Sequence, residues 1–308
     1  SGESDTLIDI ENIAGSTVDD DITGNDSVNT LFGMSGNDTL KGEGGNDYID
    51  GGLGDDIIYG GAGSDALKGN RGADTFIQTV GETTGDNIDG GSETDGTRGN
   101  DTVNYSAFSS AAGIKVSLND TSLANVTIGS NVSDHTLTNI ENVIGSSGTD
   151  TIEGDTANNS LNGLSGTNDT LSFSKTSNGV FVNISGNSIN SDIDGNGSSD
   201  TIAANTAIGN EIGTDTVINF DDVIGGSGND TIIGDGFANT LDGASGNDIL
   251  VGGTGNDKLI GGAGLDTASY AIDIAGINVS LRQGSGTDGS SNTDTYDSIE
   301  NILGSSYN

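Results

Sequence analysis

Residues 33–77 read GMSGNDTLK, GEGGNDYID, GGLGDDIIY, GGAGSDALK and GNRGADTFI, five blocks of nine in one unbroken phase. Each block carries Gly first, Gly fourth, Asp sixth and an apolar residue eighth. The phase extends backwards through GNDSVNTLF from Gly24 and GSTVDDDIT from Gly15, so seven blocks fill 15–77. It returns from Gly225 as GGSGNDTII, GDGFANTLD, GASGNDILV, GGTGNDKLI and GGAGLDTAS, ending at Ser269. A degenerate run starts at Gly145 with GSSGTDTIE and GDTANNSLN; the following GLSGTNDTL carries one extra residue before its Asp. A fixed short period of this kind marks a solenoid, in which each unit packs on its neighbours.

Each position has a physical task. Glycine tolerates positive φ and tight turns, and such turns expose backbone carbonyls. The turn glycines of the two clear arrays are Gly33, Gly36, Gly42, Gly45, Gly51, Gly54, Gly60 and Gly63, then Gly225, Gly228, Gly243, Gly246, Gly252, Gly255, Gly261 and Gly264. The sixth position sets a carboxylate against those carbonyls. The residues concerned are Asp20, Asp38, Asp47, Asp56, Asp65 and Asp74, Asp150 in the degenerate run, and Asp230, Asp248, Asp257 and Asp266. Carboxylate and carbonyl oxygens together suit a hard cation such as Ca²⁺, which takes six to eight oxygen ligands. These aspartates and turn glycines are the candidate metal site. Asn29, Asn159 and Asn239 stand where Asp is expected, and weaker or empty sites are expected there. The eighth-position residues Leu40, Ile49, Ile58, Leu67 and Phe76, with Ile232, Leu250, Leu259 and Ala268, should point inward. With two blocks to a turn they would stack into a narrow apolar ladder.

The motif resembles the RTX (repeat-in-toxin) family of calcium-binding parallel β-rolls, whose consensus is G-G-x-G-x-D-x-U-x. The clear matches cover 15–77 and 225–269. The resemblance implies an all-β fold, a parallel β-roll or β-solenoid with calcium ions between successive turns along both edges. It also implies export from bacteria by type I secretion, with the chain unfolded in low cytosolic calcium and folding outside the cell.

Composition agrees with a metal-dependent fold. The 308 residues hold 8 Lys plus Arg against 47 Asp plus Glu, a formal charge of −39. Such a chain repels nucleic acid and anionic membranes and favours a multivalent cation. Only 31% of residues are apolar, Trp and Cys are absent, and no disulfide can compensate for a thin core. The chain has no Pro, and its 53 glycines are regularly spaced, unlike a disordered linker. No apolar run is long enough to cross a bilayer, so membrane insertion is not expected. The opening Ser-Gly-Glu-Ser-Asp-Thr does not read as a signal peptide.

The spacers repeat as well. Asp101-Thr-Val-Asn-Tyr105, Asp169-Thr-Leu-Ser-Phe173 and Asp266-Thr-Ala-Ser-Tyr270 each precede an alternating stretch. Those stretches are Gly113–Leu118, Gly179–Ile184 and Gly276–Leu281, and period-two alternation predicts half-buried strands. A return motif follows: Ile140-Glu-Asn-Val-Ile-Gly145 and Phe220-Asp-Asp-Val-Ile-Gly225, with copies at Ile10–Gly15 and Ile299–Gly304. The expected division is array 1 at 1–77, spacer 78–140, short array 2 at 141–171, spacer 172–215, array 3 at 216–269, and spacer 270–308. One continuous solenoid with wider, calcium-poor turns is the simplest arrangement, loops at 81–100, 119–137 and 185–214 bulging from it. Three rolls joined by small β inserts is the other. Because the chain begins and ends in the same repeat phase, a segment of a longer tandem array or a subunit that continues end to end is expected.

Other chemistries find little footing. His135 is the sole histidine and H-E-x-x-H is absent, so a surface histidine in a polar loop is expected. No G-x-S-x-G elbow occurs, and no Lys-Ser/Thr follows Gly60-Gly-Ala-Gly63 to make a phosphate loop. Asn-x-Ser/Thr triplets such as Asn37-Asp-Thr39 fall out of the repeat itself. Lys41 and Arg71 read as isolated surface charges. An enzyme is not expected.

Without metal, stacked carboxylates repel: two unit charges 4 Å apart cost roughly 4 kcal/mol at an effective dielectric of 20. The apo chain should be disordered or loosely collapsed, roughly a dozen calcium ions should bind, and folding and binding should be one process. The expected role is an extracellular or cell-surface structural segment of a surface-layer protein, adhesin or fibre. Its partners would be calcium and either copies of itself, end to end or in a lattice, or cell-surface polysaccharide. The alternative is an accessory C-terminal folding and secretion module of a secreted enzyme or toxin.

Overall fold

The computed structural model describes residues 10–80, 84–92, 99–109, 113–118, 124–128 and 135–307. All regular structure among them is β, as the nine-residue period requires. They divide into two compact units, 1–108 with 121–144, and 109–120 with 145–308.

In the first unit, Thr30–Ser35, Tyr48–Leu53, Ala66–Arg71 and Asn87–Gly91 form one run of parallel strands. Asp21–Asn25, Thr39–Glu43, Ile57–Tyr59, Thr75–Ile77, Thr102–Asn104 and Asn142–Ile144 form a second. Within the array each strand pairs with the strand two blocks on, so one coil is two blocks. The apolar eighth position is in register throughout: Leu31 pairs with Ile49 and Ile49 with Leu67, while Ile22, Leu40, Ile58, Phe76, Val103 and Val143 follow one another in the second sheet. Successive side chains of a strand point to opposite faces, so one inward side chain per short strand suffices. Leu31, Leu40, Ile49, Ile58, Leu67 and Phe76 are fully buried, and this stacked pair of columns is the core.

The second unit repeats the construction. Val116, Ile152, Leu171 and Val223, then Leu241, Leu259 and Tyr296, follow in parallel register in one sheet. Val182, Ile232, Leu250, Ala268 and Ile302 do so in the other. Among the described residues, antiparallel pairs occur around the spacers, as in Val180–Asn183 with Thr206–Gly209 and Asn278–Ser280 with Ser285–Thr287. A side hairpin, Ile189–Ser191 with Asp200–Ile202, packs Ile193 and Ile202 on Ile233 and Val251.

The alternating spacer stretches are strands at Ile114–Ser117, Val180–Asn183 and Asn278–Ser280. The expectation of plain loops at 81–100, 119–137 and 185–214 needs correction. Their described parts contain Asn87–Gly91, Ala124–Ile128, His135–Thr138, Ile189–Ser191, Asp200–Ile202 and Thr206–Gly209 as strands; residues 81–83, 93–98, 119–123 and 129–134 lie outside the described set. The reason is local. Asp86-Asn-Ile88 has the same acid–x–apolar spacing as Asp38-Thr-Leu40, and Ile88 is buried in register with Leu67.

Candidate metal centres

A sixth-position aspartate sits just ahead of each short strand, where the chain leaves the turn. Its Oδ1 accepts the backbone N–H of the equivalent residue one coil earlier. Asp20 N–H donates to Asp38 at 2.8 Å, Asp38 to Asp56 at 2.8 Å, and Asp56 to Asp74 at 2.9 Å. The opposite edge repeats this, Asn29 to Asp47 at 2.7 Å and Asp47 to Asp65 at 2.7 Å. In the second unit Asp230 donates to Asp248 and Asp248 to Asp266, at 2.8 and 2.9 Å, and Asn239 donates to Asp257 at 2.9 Å. All these accepting carboxylates are buried.

The other oxygen separates two kinds of rung. In Asp38, Asp47, Asp56, Asp65, Asp248, Asp257 and Asp266, Oδ2 is buried and accepts no hydrogen bond. In Asp20, Asp150 and Asp230 it accepts the N–H of the second residue of its own block, Ser16, Ser146 or Gly226, at 2.5 to 2.7 Å. Asn29, Asn159 and Asn239 are closed in the same way by Asn25, Asp155 and Asp235. The second residue's backbone decides the difference. In the open blocks it is left-handed, as at Met34 (φ 83°), Glu43 (74°), Gly52 (110°), Gly61 (97°), Ala244 (65°), Gly253 (96°) and Gly262 (94°). None of the six closing residues is left-handed. Each array therefore starts with two closed blocks, and in the first and third the open ones follow.

The turn glycines divide too. The fourth-position glycines Gly36, Gly45, Gly54, Gly63, Gly246, Gly255 and Gly264 have positive φ, as the turn reading requires; Gly228 does not. The first-position glycines Gly33, Gly42, Gly51, Gly60, Gly225, Gly243, Gly252 and Gly261 do not either. They are glycine for space: a Cβ on Gly60 would lie 2.5 Å from Oδ2 of Asp65, and one on Gly33 2.5 Å from the carbonyl oxygen of Gly51. The open carboxylate oxygen thus lies against the first glycine of its block, next to the first-position carbonyl of the following coil.

Burial without a partner disfavours charge on these groups. It pushes Asp47 and Asp56 up to about 6, and Asp248 and Asp257 up to about 7, although the backbone N–H each accepts pulls the other way. Neighbouring carboxylates add to the rise, Asp65 acting on Asp47, Asp38 on Asp56, and Asp230 and Asp266 on Asp248. Asp38, Asp65, Asp230 and Asp266 shift the same way with burial as the leading cause.

Sequence reading missed the rungs that lie outside the regular nine-residue blocks. Asp86, Asp101 and Glu141 continue the first unit's edges: Asp65 donates to Asp86 at 2.9 Å, Asp74 to Asp101 at 2.8 Å, and Asp101 to Glu141 at 3.0 Å. Asp169, Asp215, Asp221, Asp294 and Glu300 do so in the second. Asp215, whose Oδ2 is buried and accepts no hydrogen bond, is pushed by burial to about 8. The signal was available: each stands two residues before a ladder residue, as Glu141 before Val143 or Asp294 before Tyr296.

His135 also proves to be a rung, not a surface group. It is fully buried on the strand His135–Thr138, two residues before the buried Leu137, and the Asp86 N–H points at its Nδ1 from 3.4 Å. Burial lowers its pKa to about 4, so it is neutral at neutral pH. Lys41 lies 5.6 Å from the centroid of the Tyr59 ring, a cation–π contact rather than an isolated charge.

Buried, unpartnered carboxylate oxygens one coil apart form a donor set that a hard divalent cation would fit. The family profile described as RTX calcium-binding nonapeptide repeat matches four times, at 23–58, 42–76, 219–248 and 233–268. The chain carries RTX repeats. The peptidase M10 serralysin C-terminal profile matches at 93–161, across the spacer and the short array that follows the first run of RTX repeats. No curated protein matches the chain significantly. Among solved structures, the solution structure of the AlgE6R3 subunit from the Azotobacter vinelandii mannuronan C5-epimerase is similar over 44% of this chain and 78% of that one. The identity is 24% and the TM-score 0.18, too low to establish a shared overall arrangement.

Proposed function

We propose that the chain is an extracellular, calcium-dependent structural segment of a bacterial surface layer, adhesin or fibre, which folds and stiffens as calcium fills the RTX edges. The observation that carries this is the set of open rungs. Asp38, Asp47, Asp56 and Asp65 in the first unit, and Asp215, Asp248, Asp257 and Asp266 in the second, each offer a buried oxygen with no protein donor. These are the calcium ligands, with first-position carbonyls such as those of Gly51 and Gly60 beside them. The closed rungs Asp20, Asp150 and Asp230 have that oxygen satisfied and contribute less. Bound calcium supplies the positive charge that burial of these carboxylates demands. The apolar columns are one side chain wide and cannot offset a stack of uncompensated buried charges. Binding and folding are therefore coupled. Type I secretion follows naturally, since an unfolded chain in low calcium is the exportable one.

The serralysin C-terminal match at 93–161 favours a second reading, an accessory folding and secretion module of a larger secreted enzyme. Copies of itself or surface polysaccharide are the partners on the first reading; a catalytic domain on the same polypeptide is the partner on the second.

Circular dichroism during a calcium titration tests the shared part. β signal should appear with calcium, disappear in excess chelator, and fail to appear with magnesium alone. Equal order in chelator removes the proposal. Negative-stain microscopy of the calcium-loaded protein separates the two readings, since lattices or fibres belong to the structural role alone.

A further inference from the structure

Away from the RTX edges, the side hairpin of the second unit closes through residues 192–200, Asp-Ile-Asp-Gly-Asn-Gly-Ser-Ser-Asp. One carboxylate oxygen from each of Asp192, Asp194 and Asp200 lies within 4.8 Å of the others. The loop folds inward on them. Asp192 Oδ2 accepts the Gly197 N–H at 2.8 Å, Asp200 Oδ2 accepts the Ile193 N–H at 2.9 Å, and Asp194 Oδ1 accepts the Asn196 N–H at 2.9 Å. Asn196 Nδ2 donates to Asp194 Oδ2 at 2.6 Å, and Asn196 Oδ1 accepts the Ser198 N–H at 2.8 Å. One atom is left over. Asp192 Oδ1 is shielded from water and accepts no hydrogen bond, although the residue as a whole is partly exposed, so one carboxylate oxygen of a three-acid cluster has no protein donor to compensate it. That is costly unless a cation completes it.

The spacing identifies the cation. Calcium loops of the D-x-[DN]-x-[DN]-G type place oxygen ligands at positions 1, 3, 5, 7 and 9, with glycine at 6 for the sharp turn. Counting from Asp192, those positions hold Asp192, Asp194, Asn196, Ser198 and Asp200, with Gly197 at 6. Gly197 has φ 89° there. Position 12 is Ala203, so the closing bidentate carboxylate of such loops is replaced by nothing from this segment. We propose that residues 192–200 form a calcium site independent of the RTX repeats, weaker than a full loop of that type and in the class of extracellular modules, with dissociation constants of roughly 10⁻⁴ to 10⁻³ M.

The site would fasten the hairpin to its roll. Ile193, between two of the ligands, packs with Ile202 on Ile233 and Val251 of the array strands, and its carbonyl oxygen accepts the Ser269 hydroxyl at 2.8 Å. Closing the loop on an ion fixes Ile193, and with it the sheet face that Ile233 and Val251 present.

Native mass spectrometry of the full chain at saturating calcium, beside hydrogen exchange resolved to the 185–204 segment, tests this. The triple variant Asp192→Asn, Asp194→Asn, Asp200→Asn should carry one ion fewer and lose the calcium-dependent protection of the Ile193 and Gly197 amides. An unchanged ion count, or amides indifferent to calcium in the unmodified chain, overturns the proposal. Should the triple variant fail to fold, Asp194→Asn alone, at an exposed side chain, decides it. The calcium midpoint for loop protection should rise by about tenfold, and an unmoved midpoint overturns it. Loop protection by calcium in a chain whose RTX segments ignore calcium would uphold this site and remove the reading of the edges.

Discussion

The amide of Asp38 donates to Oδ1 of Asp56, 2.8 Å away and eighteen residues further along the chain, while Oδ2 of Asp56 accepts nothing. One carboxylate thus has two distinct duties. One oxygen ties consecutive coils together by accepting a backbone N–H. The other is buried without a partner and is the one proposed to meet an ion.

Substitutions at Asp56 separate these duties. Asp56→Asn keeps an acceptor for the Asp38 amide but removes the charge. It should raise the calcium midpoint of folding severalfold and lower the bound-ion count. Asp56→Ala also strands the Asp38 amide, at a further cost of about 1–3 kcal/mol. Urea unfolding at fixed calcium measures both. Asp20→Asn, at a rung closed by the Ser16 amide, should shift the midpoint much less; equal effects at 20 and 56 would defeat the distinction between open and closed rungs.

The metal-free chain should respond to pH in the opposite sense to the loaded one. Burial raises Asp47 and Asp56 to about 6 and Asp248 and Asp257 to about 7 in the folded state, against about 3.9 in an unfolded chain. The folded metal-free form therefore binds more protons between these values. The stability these groups contribute is present in full below about pH 4 and is lost as pH rises through 6 to 7. Calcium needs the ionised form, so calcium-dependent order should weaken as pH falls through the same window. In chelator, β signal by circular dichroism should be stronger near pH 4.5 than near 7.5. A chelated chain that gains order with rising pH contradicts this.

Two glycines, chemically alike, should differ sharply. A Cβ at Gly60 would lie 2.5 Å from Oδ2 of Asp65, whereas one at Gly186 meets nothing within 4 Å. Gly60→Ala should displace the Asp65 carboxylate, costing about 1–3 kcal/mol as overpacking does, and should remove an ion. Gly186→Ala should leave stability and ion count unchanged. Thermal melts at saturating calcium decide it, and a tolerant Gly60→Ala would show that the open oxygen does not need that space.

Much of this architecture was legible beforehand because it is local. The nine-residue phase assigns inward and outward side chains without any long-range information, and Leu40, Ile49, Ile58 and Leu67 are fully buried where it places them. The spacer rungs were harder. Glu141 is one methylene longer than Asp, and its coil neighbour Asp101 is forty residues away, so no short period reveals the pairing. His135 misled because its chemical type suggests surface or zinc, while its position, two before the buried Leu137, is that of a rung. The split between open and closed rungs was out of reach of composition altogether. It resides in the φ of the second residue, and Met34 and Ser16, neither of them glycine, fall on opposite sides.

That backbone choice can itself be tested at Met34, whose side chain is half exposed and whose φ is 83°. A left-handed conformation costs a non-glycine residue about 1–2 kcal/mol, and β-branched side chains suffer most. Gly52, the register partner of Met34, holds the same conformation at φ 110° without that penalty. Met34→Gly relieves the strain but adds about 0.5–1 kcal/mol of unfolded-state entropy, for a net gain of up to about 1.5 kcal/mol. Met34→Val should lose a similar amount or more. It should also bias the second residue of the block toward the conformation of Ser16, whose N–H closes the rung. The calcium midpoint should therefore rise for Met34→Val beyond what its loss of stability in saturating calcium accounts for. If valine and glycine here gave the same midpoint and the same stability, the left-handed second residue could not be what holds the Asp38 oxygen open.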